Sequence, residues 1–223
     1  MSLFQSPKNR KHLVIVGNGG HASVCRDIAL SQGYRICCSM VETDYVQPKD
    51  PFTTNIGTLA PLRDANRNEC ANFSSHLWFI AIGDADARLR ISRSLRMLFK
   101  DASFPTLIAN DAEVPQSTPV GEGSVIMGGA RLSSTSVVED FSIVNTAAIV
   151  EHHGVVGSYS HMAPGAIALG HSCIGNLCMV GANAVVGQAV KLPNESTLGS
   201  LSYLKASPER KGVFVGSPAR RLP

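Results

Sequence analysis

The sequence predicts a chain of two parts, a small α/β domain followed by a parallel β-helix. Three observations predict this. A short aliphatic run near the amino terminus leads into a glycine-rich turn, an apolar residue recurs at every sixth position after Pro105, and only 6% of the 223 residues are aromatic. The first observation is typical of a βα unit, and the other two are typical of narrow β-coils filled with aliphatic side chains.

The opening βα unit lies at the start of the chain. The run from Leu13 to Val16 predicts a strand, Gly17 to His21 predict a turn, and Ala22 to Gln32 predict a helix. This order of strand, glycine turn and helix is the first unit of a Rossmann-like fold.

The same domain continues with a second strand and helix. The strand is predicted at Trp78 to Ile82, before Gly83, and an amphipathic helix follows from Ala87 to Lys100. Between the two units, Gln47 to Asn55 are rich in turn formers and predict an exposed loop. We therefore place the Rossmann-like domain at residues 1–105.

A six-residue repeat occupies the second part of the chain. All but one of the residues in its first column are large and apolar: Val120, Ile126, Leu132, Val138, Val144, Val150, Val156, Met162, Ala168, Ile174, Val180, Val186, Leu192 and Leu198. Four positions after each stands a small residue, with one exception at Val190: Ser124, Ala130, Ser136, Ser142, Ala148, Gly154, Ser160, Ala166, Ser172, Cys178, Ala184, Val190, Ser196 and Ser202.

One bulky and one small column at a period of six predict a parallel β-helix, in which three short strands make a triangular coil of about 18 residues. A β-sandwich would instead alternate with a period of two. The six-residue phase has no insertion. We therefore expect roughly four and a half to five regular coils within residues 106–223, and no long loop.

Charge and cysteine usage exclude several classes of protein. The formal net charge is only +3, which is too small for a nucleic-acid footprint. No apolar run approaches the roughly 18 residues of a membrane span, and the polar start of the chain lacks a signal-peptide pattern. We expect a cytoplasmic protein that binds neither nucleic acid nor membrane. Its six cysteines show no CxxC pair, so we expect reduced thiols without disulfides or zinc.

Four features together resemble one family. They are the Gly17-x-Gly19-Gly20-His21 turn, the hexapeptides, the segment Glu151-His152 with Ser160 to Ala166, and the final Gly212 to Arg220. This combination resembles the bacterial sugar O- and N-acyltransferases with a left-handed β-helix, which include sialic acid O-acetyltransferases and UDP-4-amino-sugar N-acetyltransferases. The resemblance implies acetyl-CoA as donor, a nucleotide-linked amino-sugar as acceptor, and a homotrimer with active sites between adjacent β-helices.

The resemblance implies His152 as the general base. An amine that attacks a thioester must lose a proton, and histidine suits this role near neutral pH. Relatives usually carry a carboxylate directly after this histidine, where this chain has His153. Glu151 precedes His152, but adjacent side chains on a strand point to opposite faces. Either His152 works without a carboxylate, or one arrives from elsewhere.

The 18-residue coil predicts which residues stack beside this histidine. Gly170 should lie beside His152, which suits the role near the acetyl carbonyl that the resemblance implies for its N–H. His171 should lie beside His153. Two imidazoles without a carboxylate or thiolate are weak evidence for a metal, and we expect none. The resemblance also implies that His161 contacts the acetyl group.

The resemblance assigns further binding residues. For the sugar nucleotide they are Gly19, Gly20, His21, Glu42, Ala81, Ile82, Gly83 and Asn145; for CoA they are His161, Gly170, Gly181, Ala182, Gly199 and Arg220 or Arg221. The turn also fits a loose Gly-x-Gly-x-x-Ala fingerprint with Glu42 downstream, so it predicts a phosphate site without specifying the nucleotide. Val41 stands where relatives often carry an acidic residue, which leaves the nucleotide open.

These residues predict an acetyl-CoA-dependent N-acetyltransferase that acts on the 4-amino group of a nucleotide-linked deoxysugar. The nearest alternative is sialic acid O-acetylation, in which an alcohol needs a stronger base. A second alternative is a non-catalytic nucleotide-sugar-binding protein, and a third, an NAD-dependent oxidoreductase, would require a substrate domain in place of the coils. The sequence does not specify the sugar, the nucleotide or the glycan.

Overall fold

The structure, a computed structural model, describes residues 12–41, 55–58 and 77–223. The chain divides into two compact units, Met1–Leu107 and Ile108–Pro223. The sequence placed this division two residues earlier, between 105 and 106. Within the described ranges, no helix is long and apolar enough to cross a membrane.

The first unit is built on a parallel sheet. Its described elements are β1 (His12–Val16), α1 (Gly20–Ser31), β2 (Arg35–Val41), β3 (Asn55–Thr58), β4 (Leu77–Ile80) and α2 (Ala85–Leu98). The four strands lie in the order β3-β2-β1-β4, and every neighbouring pair is parallel. The first strand is buried along Leu13–Val16, as expected for a central strand of a parallel sheet. The strand, glycine turn and helix predicted at the start of the first unit are all present, as β1, the turn after it and α1.

Helix α2 begins with a side-chain cap. Asp84 accepts a hydrogen bond from the backbone N–H of Ala87 at 2.8 Å, which satisfies one of the open donors of the first turn. The buried face of α2 carries Ile91 and Leu95, whereas Leu98 at the end of the helix is exposed. Of the predicted exposed loop, residues 47–54 lie outside the described ranges, and Asn55 begins β3.

The second unit is a β-solenoid of the left-handed β-helix type with about six turns. Its strands are β5 (Leu107–Ile108), β6 (Val125–Ile126), β7 (Arg131–Leu132), β8 (Val137–Val138), β9 (Ile143–Val144), β10 (Ile149–Val150), β11 (Val155–Val156), β12 (His161–Met162), β13 (Ile167–Ala168), β14 (Cys173–Ile174), β15 (Met179–Val180), β16 (Val185–Val186), β17 (Lys191–Leu192), β18 (Thr197–Leu198), β19 (Tyr203–Leu204), β20 (Val213–Gly216) and β21 (Ala219–Arg221).

Strands one coil apart pair in parallel and form three sheets. The sheets have the orders β19-β16-β13-β10-β7, β17-β14-β11-β8 and β21-β20-β18-β15-β12-β9-β6-β5. The pairing register is 18 residues, as between Met162 and Val180. The bulky column fills the interior, and the small column is buried beside it. Small-column hydroxyls bond to backbone carbonyls; for example, Ser142 donates to Gly157 at 2.8 Å.

The β-helix is longer than the predicted four and a half to five coils. The bulky column begins at Ile108 in β5, because Ile108 and Val114 extend it by two hexapeptides and pack against the core. In this first stretch the pairing is reduced to isolated bridges, such as Val120 with Val138. At the other end, β20 and β21 form an antiparallel hairpin.

A third column marks the corners of the coils. Three positions after each bulky residue, most residues have a positive φ near 55–60°, including the non-glycine residues His153 and His171 at 58°. This left-handed backbone is uncommon for residues with a Cβ, and here it recurs at a fixed place in the hexapeptide. Side chains at these corners, unlike those of the bulky column, stand outside the prism.

Candidate active site

The corner that follows β10 and β13 brings together two of the three predicted catalytic residues, His152 and Gly170, whereas His161 lies in β12. His152 and His153 make the turn in one coil, and Gly170 and His171 make the same turn in the next. The backbone N–H of His171 donates to the His152 carbonyl at 2.9 Å, which fixes the two coils to each other at this point. Because both pairs occupy a turn, the strand alternation that we assumed for Glu151 and His152 does not apply to His152.

The imidazole of His152 lies against Gly170. A Cβ built on Gly170 would fall 2.5 Å from Cε1 and 2.6 Å from Nε2 of His152, which is closer than real Cβ contacts. Gly170 therefore leaves the space in which the His152 ring lies. The predicted stacking of these two residues is present.

The imidazole of His152 forms a cluster with the imidazoles of His153 and His171. Its Nδ1 lies 3.2 Å from Nδ1 of His153, and its ring meets the rings of His153 and His171 edge to face, with centroids 5.5 and 5.3 Å apart. The rings of His153 and His171 stack in parallel at 4.4 Å. All three side chains are exposed, and one nitrogen of each lies within 4.8 Å of the others.

A hydroxyl from the preceding coil supports His153. Thr135 accepts the backbone N–H of His153 at 3.1 Å, and its hydroxyl lies 3.5 Å from the His153 Nδ1. Glu151 accepts a hydrogen bond from the Ser133 hydroxyl at 3.2 Å. The group placed against the His152 Nδ1 is therefore His153, in the position where relatives usually carry a carboxylate.

An open cavity of about 560 Å³ lies beside His152. It is lined by Glu113, Val114, Pro115, Arg131, Leu132, Ser133, Ser134 and His152. Arg131 and Glu113 form an ion pair of 3.1 Å at its exposed rim. These lining residues were not predicted from the sequence, although Ser133 and Ser134 stand 18 residues, one coil, before Glu151 and His152.

Backbone donors at this corner position are directed to side-chain oxygens elsewhere in the solenoid. At equivalent positions in the hexapeptide, the N–H of Glu122 donates to Asp140, that of Ser158 to Asn176, and that of Asn176 to Asn194. Gly170 occupies the same hexapeptide position. At this position in the hexapeptide, therefore, the backbone N–H can donate to an oxygen that does not belong to the main-chain ladder.

His161 and Asn145 form a second polar pair. The Asn145 amide accepts the N–H of Thr146 at 2.8 Å through Oδ1, which leaves its NH₂ group 3.1 Å from Nε2 of His161. Because an amide NH₂ only donates, Nε2 of His161 accepts and the neutral ring carries its proton on Nδ1. His161, which the resemblance assigned to the acetyl group, and Asn145, which it assigned to the sugar, thus hold each other's side chains in place by a hydrogen bond.

The residues assigned to CoA have structural roles of their own. The N–H groups of Gly181 and Gly199 donate to the carbonyls of Leu198 and Phe214 at 2.7 and 2.8 Å. Any contact of these two glycines with a ligand must therefore use other atoms. Ala182 is half-buried at the next corner. Arg220 is exposed in β21, where its guanidinium contacts the Ala219 carbonyl at 3.3 Å.

In the first unit, the loops after β1 and β4 meet at the carboxyl edge of the sheet. The N–H of Ala81 donates to the Val16 carbonyl at 2.8 Å, and a Cβ on Gly17 would fall 2.5 Å from the Ala81 oxygen. Gly17 is needed for this close approach. By contrast, a Cβ on Gly19 or Gly20 would meet nothing within 4 Å, so space is open where α1 begins.

His21 lies in the first turn of α1, where its Nε2 is 3.7 Å from the Cys25 sulfur. Burial raises the pKa of the Cys25 thiol to about 12. The thiol therefore stays protonated at neutral pH and can donate to Nε2 of His21. Of the other predicted residues in this unit, Glu42 lies outside the described ranges.

Arg88 lies beside the candidate sugar-nucleotide loop and was not predicted from the sequence. It is only 1% exposed, and it donates to the carbonyls of Ile82 and Gly83 at 2.9 and 2.7 Å. Its guanidinium thus holds the loop that was assigned to the sugar nucleotide. The signal was its helical spacing, because Arg88 falls on the same face as Ile91 and Leu95.

Comparisons with known proteins agree with both halves of this description. A family model described as the PglD N-terminal domain matches residues 12–95. The acetyltransferase domain of PglB from Neisseria gonorrhoeae has a TM-score of 0.83 and 28% sequence identity, covering 96% of this chain and 100% of that one. The same domain has been solved in complex with acetyl coenzyme A, at a TM-score of 0.81 and 27% identity.

One further solved structure and one curated relative are also similar to this chain. PerB from Caulobacter crescentus, in complex with CoA and GDP-perosamine, has a TM-score of 0.85 and 24% identity, covering 95% of this chain and 97% of that one. The carnitine operon protein CaiE of Escherichia coli K12 is 27% identical over 101 residues, which are 44% of this chain and 46% of CaiE. The chain thus spans about half the length of the curated relatives it matches.

Proposed function

We infer that the chain belongs to the bacterial sugar acyltransferases, because a PglD-type domain precedes a left-handed β-helix and the PglB acetyltransferase domain shares the fold. We propose that it is an acetyltransferase whose co-substrate is acetyl-CoA, the ligand bound by the PglB acetyltransferase domain. We propose that its acceptor is the 4-amino group of a nucleotide-linked amino-deoxysugar. The observation that carries this proposal is the His152 corner, where an exposed imidazole lies against a glycine.

In the proposed reaction, the sugar amine attacks the thioester carbonyl directly. A C–N bond forms, the amine proton passes to Nε2 of His152, and the C–S bond breaks. The CoA thiolate leaves and takes up the proton, so the products are the acetamido sugar and CoA. A histidine suits this transfer, because its neutral form accepts a proton near physiological pH.

The tetrahedral intermediate carries negative charge on the former carbonyl oxygen, which needs a hydrogen-bond donor. We propose the N–H of Gly170 for this role. Its support is the hexapeptide position: the N–H of Ser158, at an equivalent place, donates to a side-chain oxygen rather than to the ladder. We also propose that His161, held by Asn145, contacts the acetyl group.

We propose that His153 takes the place of the usual carboxylate as the partner of His152. If the neutral His153 accepts at Nδ1, the 3.2 Å contact requires the His152 proton on Nδ1. The lone pair of His152 then lies on Nε2, the nitrogen nearer to Gly170 than Nδ1 is. A neutral partner orients the ring without adding a charge, which suits an amine acceptor better than an alcohol.

For the sugar nucleotide, we propose the carboxyl edge of the first unit's sheet. The beginning of α1 presents backbone N–H groups, a favourable place for phosphate oxygens. The open space at Gly19 and Gly20 supports this assignment, as does the loop of Ala81 to Gly83 that Arg88 holds. PerB, which shares the fold, holds CoA and a GDP-linked amino-sugar.

The test is CoA release from acetyl-CoA with UDP-, dTDP- and GDP-linked 4-amino-sugars, and with free sialic acid. Release is expected with one of the amino-sugars, with His152→Ala lowering kcat by about 100-fold or more. Ala189→Asn, a substitution at the equivalent exposed corner two coils after His153, should keep wild-type rates. CoA release with sialic acid alone would show O-acetylation in place of the proposed N-acetylation. The absence of CoA release with every acceptor would favour a non-catalytic nucleotide-sugar-binding protein.

We also propose that the chain works as a homotrimer, as the resemblance implies. Sedimentation equilibrium should give three times the mass of the chain at assay concentrations. A single-chain mass combined with full activity would contradict this assembly.

A further inference from the structure

The three imidazoles of His152, His153 and His171 form a cluster that the acetyl-transfer mechanism uses only in part. Each is exposed, and one nitrogen of each lies within 4.8 Å of the others. We propose that this cluster is a binding site for a divalent transition-metal ion such as Zn²⁺, and that the bound ion stops acetyl transfer by occupying His152. The inhibitory part rests on the function proposed above.

The spacing of the nitrogens fits a common ion. Zn–N bonds are about 2.0–2.1 Å, so two nitrogens of a tetrahedral site lie roughly 3.3 Å apart. The His152 and His153 Nδ1 atoms lie 3.2 Å apart, so this pair has the required separation without rearrangement. The His171 ring, stacked on His153 at 4.4 Å, would have to turn out of the stack to complete the set.

The solenoid keeps the third ligand available. His153 and His171 occupy the same left-handed corner in successive coils, both with φ of 58°. The backbone N–H of His171 donates to the carbonyl of His152 at 2.9 Å, which holds the two corners together. Rotation of the side chains is therefore enough to turn the present cluster into a metal site. Exposure leaves the fourth position to water, as in sites with three protein ligands.

The type of ligand defines the type of ion. Imidazole nitrogen suits Zn²⁺, Cu²⁺ and Ni²⁺, whereas Mg²⁺ and Ca²⁺ prefer oxygen ligands. We expected no metal from the sequence, because only His153 and His171 stacked in the 18-residue register. The structure adds His152, which lies on the neighbouring corner position and reaches both of them.

Metal binding and proton acceptance exclude each other at His152. A neutral imidazole has one lone pair and one proton on its two nitrogens. An ion on Nδ1 holds that lone pair and leaves the proton on Nε2. The nitrogen proposed to accept the amine proton then has no lone pair, so acetyl transfer stops until the ion leaves.

The direct test is calorimetric titration of the untagged full chain with ZnCl₂, in the absence of acetyl-CoA. One ion per chain is expected. His171→Asn, whose side chain tolerates the left-handed backbone, should weaken binding by at least about tenfold, and Ala189→Asn at the same corner one coil on should not change it. Equal binding by wild type and His171→Asn, or no binding up to millimolar Zn²⁺, overturns the site.

A second measurement tests the inhibition. CoA release should fall as Zn²⁺ rises over the range in which the titration shows binding, and EDTA should restore it. His171→Asn should need about tenfold more Zn²⁺ for the same fractional loss. Binding without loss of rate overturns the inhibitory role. If no acceptor supports CoA release, the proposed function fails, while the titration still decides whether the metal site exists.

Discussion

Gly170 and the His152 imidazole occupy adjoining space so closely that a Cβ on Gly170 would lie 2.5 Å from the ring. The glycine is therefore a condition for the position of the imidazole, whatever its N–H does. This relationship can be tested separately from the identity of the sugar.

Gly170→Ala should displace the His152 ring and lower kcat by about tenfold or more, because misplacing a reacting group by a fraction of an ångström to 1 Å is costly. Gly170 does not have a positive φ, so alanine adds no backbone strain there. The thermal midpoint should change little. A variant with full kcat would show that the ring is free to adjust or that His152 is not the base.

His153 should behave as the orienting partner of His152. His153→Ala should lower kcat by about tenfold, because the His152 Nδ1 loses its acceptor. His153→Asp returns an acceptor and suits the left-handed backbone at this corner, so it should recover the loss. Steady-state kinetics of the two variants with saturating acetyl-CoA decide the matter. An equal loss of kcat in His153→Ala and His153→Asp would show that His153 does not orient His152.

Arg88 should matter for the sugar nucleotide and for folding. Arg88→Met removes the charged donor from the Ile82 and Gly83 carbonyls and should destabilise the chain by about 2 kcal/mol or more. The KM for the nucleotide sugar should rise more than kcat falls, because the loop is proposed to bind and not to react. Urea unfolding and initial-rate kinetics measure the two effects. An unchanged KM for the nucleotide sugar would show that Arg88 does not support substrate binding.

Cys25 should resist alkylation in the folded protein. The pKa of its thiol is raised to about 12 by burial, and thiolate is the reactive form. Iodoacetamide at pH 8 should leave Cys25 unmodified in site-resolved mass spectrometry and should modify it after denaturation. Rapid labelling of native Cys25 would contradict the buried position on α1.

The same thiol makes stability depend on alkaline pH. The unfolded thiol releases its proton near its ordinary value of 9.0 and the folded thiol only near 12, so the folded state binds more protons in between. The free energy of unfolding should therefore fall as pH rises above 9. Urea titrations should show wild type losing about 1.5 kcal/mol more than Cys25→Ala between pH 9 and 10.5. Equal slopes would contradict this.

The bulky and small columns predicted the β-helix, because a coil interior accepts only certain side chains at fixed intervals. The two additional hexapeptides at Ile108 and Val114 follow the same rule. They were missed because the count of the repeat began at Val120, although Ala112 and Thr118 continue the small column there. Corner conformation was not predictable in this way, because His153 and His171 adopt a positive φ without being glycine.

For the candidate site, the sequence predicted only which residues are neighbours in successive coils. An 18-residue coil places Gly170 beside His152 and His171 beside His153, and both neighbours are present. The contact of His152 with both other rings depends on side-chain rotation, which no spacing encodes. Likewise, burial of Arg88 depends on carbonyls of a loop, and these are not visible in a pattern of residue types.

The bond from the His171 N–H to the His152 carbonyl affects which substitutions a left-handed β-helix can accept at its corners. It uses only main-chain atoms, so it forms with any residue that tolerates the corner. Mutations at these positions can therefore alter reactivity while leaving the interior unchanged. The solenoid lets new specificities arise one side chain at a time, with little loss of stability to restrict the order in which they appear.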